Sequence, residues 1–237
     1  MTTKNFEERL KNHADAFHLV VPFEKKDRLL LLDFTERNTE LSAEILDNTG
    51  VFIQYINLKL KESNAKYGIG GYNEHRTIYS RSRLFSPSHL SEDSAEPRRL
   101  HLGIDIWGRP YTKVMTPLNG IVHSFAFNNA FGDYGTTIIL THNLEGVSFY
   151  TLYGHLSLNS IKNMHEGDVV RKGDVFAEFG IPFENGQWPP HLHFQIVLNM
   201  QGMKGDYPGV CMYSEREKYL ANSPDPDLLL QMMKYAK

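Results

Sequence analysis

The amino-acid sequence predicts a mainly β protein: an antiparallel β-rich domain over residues 66–215, an N-terminal α/β extension over residues 1–65 and a C-terminal helix within residues 216–237. Three observations carry this reading. From Leu100 the chain is a series of short β-branched and aromatic runs: LHLGIDIW, KVMTP, GIVHSFAF, TTIILTH, VSFYTLYGHL, DVFAEFG and HLHFQIVL. Glycine, asparagine or aspartate punctuates most of the gaps. Upstream, apolar residues recur at helical spacing between short apolar runs. Downstream, DLLLQMMKYA reads as one closing helix.

In chain order, Phe6, Leu10 and Ala14 recur after Thr2 and Thr3 and predict a short first helix. FHLVVPF and DRLLLLDF read as short buried strands. Asp47 and Asn48 precede the helical pattern Phe52, Tyr55, Ile56, Lys59, Leu60, which ends near Ser63. Glycine-rich KYGIGGYNE follows, and the polar stretch SPSHLSEDSAEPRR, residues 86–99, reads as a flexible loop. There is no repeat and no low-complexity tract.

Composition narrows the function classes. With 41% hydrophobic and 22% charged residues over 237 positions, the chain has the make-up of a soluble globular protein with a sizeable core. A net charge of −3 offers no basic footprint for nucleic acid. Cys211 is the one cysteine, which excludes an internal disulfide and a multi-thiolate zinc site. The first residues, MTTKNFEERLKNHADAF, are charged throughout, and the apolar run Leu29–Leu32 is too short to cross a bilayer. The expectation is a cytoplasmic protein without membrane insertion; a removed leader would place it in the periplasm or outside the cell.

The candidate chemistry lies in the histidines. His101 and Asp105, in HLGID, would share a strand face but sit roughly 13 Å apart if fully extended. A kink at Gly103 would bring them together. In WPPHLHFQIV, His191 and His193 are two apart and can point into one cavity. His155 ends the aromatic run YTLYGHL, and Tyr153, two before it, is expected on the same cleft-facing side. Zinc takes imidazole and carboxylate ligands, and a catalytic site keeps one position open for water.

The segments HLGID, GIVHSF, YGTTIILTH, YTLYGHLS, GDVVRKGDVFAEFG and PHLHFQI, in that order over about residues 99–198, resemble the lysostaphin-type (LytM-like) zinc metallopeptidases. The resemblance implies that His101, Asp105 and His193 hold Zn2+, and that His155 and His191 are the catalytic pair. It also implies an amide-bond hydrolase whose substrate is a peptide or muropeptide. Two departures bear on substrate. Gln195 stands where such proteins usually have glutamate, and ENGQWPP replaces a small turn, so that Trp188 and Glu184 are expected to shape the cleft wall. Some relatives are latent because an upstream asparagine blocks the metal. Asn73 is the candidate here, against the plainer reading of GIGGYN as a turn. The alternatives are a metallohydrolase of a small cytoplasmic metabolite and an inactive binding domain. The oligomeric state is left open.

Overall fold

The computed structural model describes residues 2–87 and 96–237, so most of the loop expected at 86–99 lies outside the described residues. Helix α1 (Thr3–Asn12) starts where the Thr2 hydroxyl accepts from the Asn5 amide. Strand β1 (Leu29–Leu31) and helix α2 (Ala43–Asp47) lead to α3 (Thr49–Glu62). Asn48 caps α3 by accepting from the amides of Gly50 and Val51, which satisfies two of the donors a helix start leaves free.

Then come β2 (Tyr67–Gly70), β3 (Glu74–His75), β4 (Leu100–His101), β5 (Ile104–Trp107), β6 (Lys113–Met115), β7 (Gly120–Asn128), β8 (Gly135–Leu144), β9 (Val147–Leu156), β10 (Val169–Val170), β11 (Val175–Glu178), β12 (His191–Val197) and β13 (Val210–Cys211). Two short helices, α4 (Arg216–Asn222) and α5 (Asp227–Leu230), close the chain. The main sheet runs β1-β2-β5-β12-β9-β8-β7-β10 and is antiparallel except for the β1–β2 pair.

The architecture is the expected mainly β one, with three local differences. FHLVVPF forms no strand. Val20 and Val21 are fully buried, but only isolated backbone bonds such as Met115 N to Val20 O (2.8 Å) tie the segment down. The final helix is split. Gln231 takes a left-handed φ of 54°, and Asp227 Oδ1 accepts from the amides of Met232 and Met233, ending α5 after one turn. The extension is also woven into the sheet rather than appended to it, because β1 pairs with β2 and β2 pairs with β5.

Phe6 and Leu10 of α1 share a core with Leu229, Leu230 and Met232, and that core continues through Ile104, Ile106, Phe194 and Ile196 of the sheet. A second cluster joins Phe34, Phe52 and Ile56 to Trp107 and Trp188. It forms the backing of the site described below. No described helix is long and apolar enough to cross a membrane.

Away from the site, His142 on β8 is buried between Asn119 O (Nδ1, 2.9 Å) and Thr151 Oγ1 (Nε2, 2.7 Å). Burial pushes its pKa down to about 4. The unfolded histidine therefore takes up a proton first as pH falls. This residue's contribution to stability is whole above about pH 6.5 and declines from there toward pH 4, by on the order of 3 kcal/mol in all. Urea titrations between pH 7.5 and 4.5 should show a steeper loss of stability for the parent than for His142→Gln. Parallel curves would remove His142 as the cause.

Candidate metal centre

The strand expected across HLGID is broken, and the break builds the site. His101 ends β4, which pairs with β3 and β13, whereas Asp105 lies in β5 of the main sheet. The chain changes sheets at Leu102–Gly103. Instead of being a strand-length apart, His101 Nε2 and Asp105 Oδ1 are 3.3 Å apart. A Cβ on Gly103 would lie 2.5 Å from the His193 ring, so only glycine permits the close passage. The β5–β12 register sets Asp105 directly opposite His193. His193 Nδ1 is 3.1 Å from Asp105 Oδ1 and 2.9 Å from His101 Nε2.

The outer sides of both rings fix what these inner atoms are. His101 Nδ1 lies 2.9 Å from Gly71 O, which can only accept, so Nδ1 carries the proton and Nε2 is a lone pair. Gln195 donates through Nε2 to Pro208 O and Ser223 Oγ, which turns its Oε1 toward His193 Nε2 at 2.9 Å. His193 Nε2 is therefore the donor and Nδ1 is the second lone pair. Burial, with Arg76 adding to it, pushes the pKa of His101 down to about 3, so the ring is neutral. Burial works against the Asp105 carboxylate, but the Arg76 guanidinium on Oδ2 helps to outweigh it and hold the carboxyl well below the ordinary range.

Three buried lone-pair atoms thus meet within 3.3 Å with no proton assigned between them. Such a cluster repels itself unless a cation sits at its centre. Tetrahedral zinc with ligand distances of about 2.0–2.2 Å spaces its donors about 3.3–3.6 Å apart, close to this triangle. The donor set fits zinc.

Beside the triangle, His155 and His191 stand with ring centroids 4.0 Å apart. Each donates Nδ1–H to a backbone carbonyl 2.8 Å away, Asn185 O and Pro189 O respectively, leaving Nε2 of each ring a free base. Burial drives both pKa values down, that of His191 to about 4, with the neighbouring His191 ring adding to the effect on His155. Trp107 stacks on His191 at 3.8 Å, and Phe52 of α3 packs behind Trp107 at 6.0 Å. His155 has a φ of 63°, an uncommon conformation for a residue with a side chain, held by the hydrogen bond that its backbone N–H donates to Tyr134 O.

That conformation separates His155 from Tyr153. Between the pairs Thr136↔Leu156 and Ile138↔Tyr153, β8 advances past Thr137 alone while β9 advances past both Gly154 and His155. The bulge breaks the alternation that would put Tyr153 and His155 on one face. Tyr153 is fully buried against Phe194 and Phe176, and its hydroxyl sits 3.1 Å from Thr151 Oγ1. It does not line the cleft. Tyr134 does, with its hydroxyl 3.4 Å from His193 Nε2 and 3.1 Å from Tyr207 O. Tyr153→Phe should accordingly cost about 1 kcal/mol of stability with kcat and KM unchanged. A tenfold kinetic defect at full zinc occupancy would return Tyr153 to the site.

The cavity has a volume of about 150 Å³ and is lined by His101, Asp105, His155, His191 and His193 together with Tyr79, Tyr134 and Trp188. Trp188 forms wall as expected, braced by the Arg81 guanidinium 4.6 Å over its ring. Glu184 does not line the cavity; its carboxylate accepts from the amides of Leu158 and Ile181 and so fastens the loop that carries Asn185. Asn73 is exposed in a turn with a φ of 55° and is not among the residues that line the cavity.

Sequence reasoning passed over Arg76. This fully buried side chain places Nη1 on Asp105 Oδ2, Nε 2.6 Å from Glu74 Oε2 and Nη2 3.1 Å from Gly70 O. Burial opposes its charge, but Asp105 more than offsets this and raises its pKa. No periodic pattern marks it. The one signal was a charged pair, Glu74 and Arg76, directly after a glycine-rich turn.

Residues 99–204 match the model of the family described as peptidase family M23. Among solved structures, the catalytic domain of the antimicrobial peptidase lysostaphin from Staphylococcus simulans is 23% identical, with 70% of this chain and 96% of that one covered and a TM-score of 0.40. A zinc containing peptidase from Vibrio cholerae is 23% identical over 45% of this chain and 29% of that one, with a TM-score of 0.34. LytU is 24% identical over 58% of this chain and 83% of that one, with a TM-score of 0.35. A search of curated proteins finds no match. The similarity to peptidase family M23 thus lies over residues 99–204, a little under half of the chain, and takes in all five of the histidine and aspartate side chains described above.

Proposed function

We propose that this protein is a zinc-dependent hydrolase of amide bonds in short peptides, muropeptide fragments among them, acting in the cytoplasm. The carrying observation is the triangle of His101 Nε2, Asp105 Oδ1 and His193 Nδ1 beside two histidines whose Nε2 atoms are unencumbered. When bound there, zinc supplies Lewis acidity, lowering the pKa of a water to about 7. The chain's own groups supply the rest. His155 or His191 accepts the water proton at Nε2 as the oxygen bonds to the carbonyl carbon. That ring, now protonated at Nε2, donates a hydrogen bond to the oxygen that gains charge, while the Nε2 lone pair of the second histidine accepts from the water's other O–H and orients it. As the C–N bond breaks, the stored proton passes from Nε2 to the leaving nitrogen.

Indole and phenol surfaces from Trp188, Tyr79 and Tyr134 form apolar wall beside these groups and lower the local dielectric, which strengthens each of these contacts. The bulky Trp188 in the wall supports a short soluble peptide over a cross-linked wall strand as the substrate. The free Cys211 thiol is compatible with a reducing compartment, which supports the cytoplasmic part of the reading.

The protein is expected to bind about one zinc per chain and to release amines from soluble muropeptides or dipeptides, followed by mass spectrometry, while leaving purified sacculi intact. Turnover confined to a metabolite panel would replace the peptide substrate. Cell fractionation that finds the native protein outside the cytoplasm, with fragments released from sacculi, would reverse the substrate and place together.

A further inference from the structure

The segment matching the peptidase family begins at residue 99, yet the supports of two of the three ligands proposed above come from before it. Gly71 O accepts from His101 Nδ1–H, and Arg76 occupies Asp105 Oδ2. We infer that Arg76, held by Glu74 and Gly70 O, is a positioning residue of the metal centre, which fixes Asp105 so that Oδ1 alone is offered to the metal. The inference rests on the zinc reading above.

The geometry supports it in three ways. First, the two Asp105 oxygens are divided. Oδ2 takes the guanidinium, and Oδ1 is the atom within 3.1 Å of His193 and 3.3 Å of His101. A carboxylate with one oxygen so engaged resists turning to give both oxygens to one ion. Second, Arg76 cannot shift easily. It is fully buried, its three nitrogens meet three separate acceptors, and its guanidinium lies 5.2 Å over the Phe34 ring.

Gly71 completes the cradle. A Cβ there would fall 1.7 Å from Arg76 Nη2, so the turn is shaped around this side chain. Third, the fork geometry is specific to arginine. A lysine ammonium would keep the charge but could not address Glu74, Asp105 and Gly70 O at once in one plane. The N-terminal extension thereby acquires a role: β2 and the turn after it form the outer shell of the metal site.

Outer-shell partners of metal ligands typically change affinity by about 10–100-fold when removed. The test measures the zinc Kd by chelator competition and the visible spectrum of the cobalt(II)-loaded protein, for the full chain and for Arg76→Met and Arg76→Lys. The parent should bind zinc tightly and give the intense absorption of four-coordinate cobalt. Arg76→Met should weaken zinc by about 10–100-fold and lower the cobalt absorption, as Asp105 becomes free to bind through both oxygens. Arg76→Lys, which keeps the buried charge and so tolerates Glu74 and Asp105, should shift both readings in the same direction by a smaller amount; it carries the test where Arg76→Met does not fold. Parent-like Kd and spectrum in a folded variant would overturn the role of Arg76 and leave the zinc reading standing. A parent that takes up neither metal overturns both.

Discussion

His193→Ala is expected to lose nearly all of its zinc, and with it the zinc-dependent gain in thermal stability expected of the parent. His101 Nε2, Asp105 Oδ1 and His193 Nδ1 bring three lone pairs to within 2.9–3.3 Å of one another, an arrangement that a cation between them makes attractive. Deleting one corner leaves two donors, too few for a tight site at a borderline-soft ion. A site that binds only the folded state stabilises it by about 4 kcal/mol when zinc stands at a thousand times its Kd, so the parent Tm should climb by several degrees on adding zinc. The variant's Tm should stay put. Elemental analysis after desalting gives the independent reading. A variant with about one zinc per chain and a parent-like Tm response would remove His193 from the ligand set.

The parts of this site that were legible in the sequence are those whose chemistry is local to a motif. HLGID and HLH each carry two functional side chains at fixed spacing, and the structure brings all four into one cavity with His155. The strand runs from Leu100 were legible too, because β-branched and aromatic residues and the turn residues between the runs are written into the chain itself. What failed is what depends on a partner strand. Tyr153 was assigned to the cleft by assuming unbroken alternation, whereas the register across β8 inserts a bulge at Gly154–His155 that no property of YTLYGHL announces.

Residues that work through long-range contact were equally hidden. Arg76 meets Asp105 across 29 positions, and Gln195 reaches His193 only because Ser223 and Pro208 O hold its amide in orientation. Gln195 was legible as a departure from expectation, yet its role as acceptor for His193 Nε2–H was not. Helix DLLLQMMKYA was misjudged for a related reason: Asp227 Oδ1 competes for the amides of Met232 and Met233, and composition does not reveal that competition.

Replacing His155 or His191 with alanine is expected to lower kcat by about a hundredfold or more while zinc stays bound, the size of effect typical of a lost proton-transfer group or oxyanion donor. Neither residue contributes to the donor triangle, and each ring is anchored through Nδ1 to a backbone carbonyl, so what alanine removes is an Nε2 base and little else. The two variants should differ in their side effects. His191 lies stacked on Trp107 at 3.8 Å, so His191→Ala opens a gap beside the Phe52 cluster and should also lower Tm. In His155→Ala the backbone keeps a φ near 63° without the ring that fills the bulge, so some stability is lost there as well. Zinc content, Tm and kcat measured on the same preparations separate these contributions. A fall in kcat of two orders of magnitude with full zinc and a folded protein assigns proton transfer to the pair. Near-parent kcat in either variant, or a defect that zinc loss accounts for entirely, would take that residue out of the chemistry and leave it as packing around the metal.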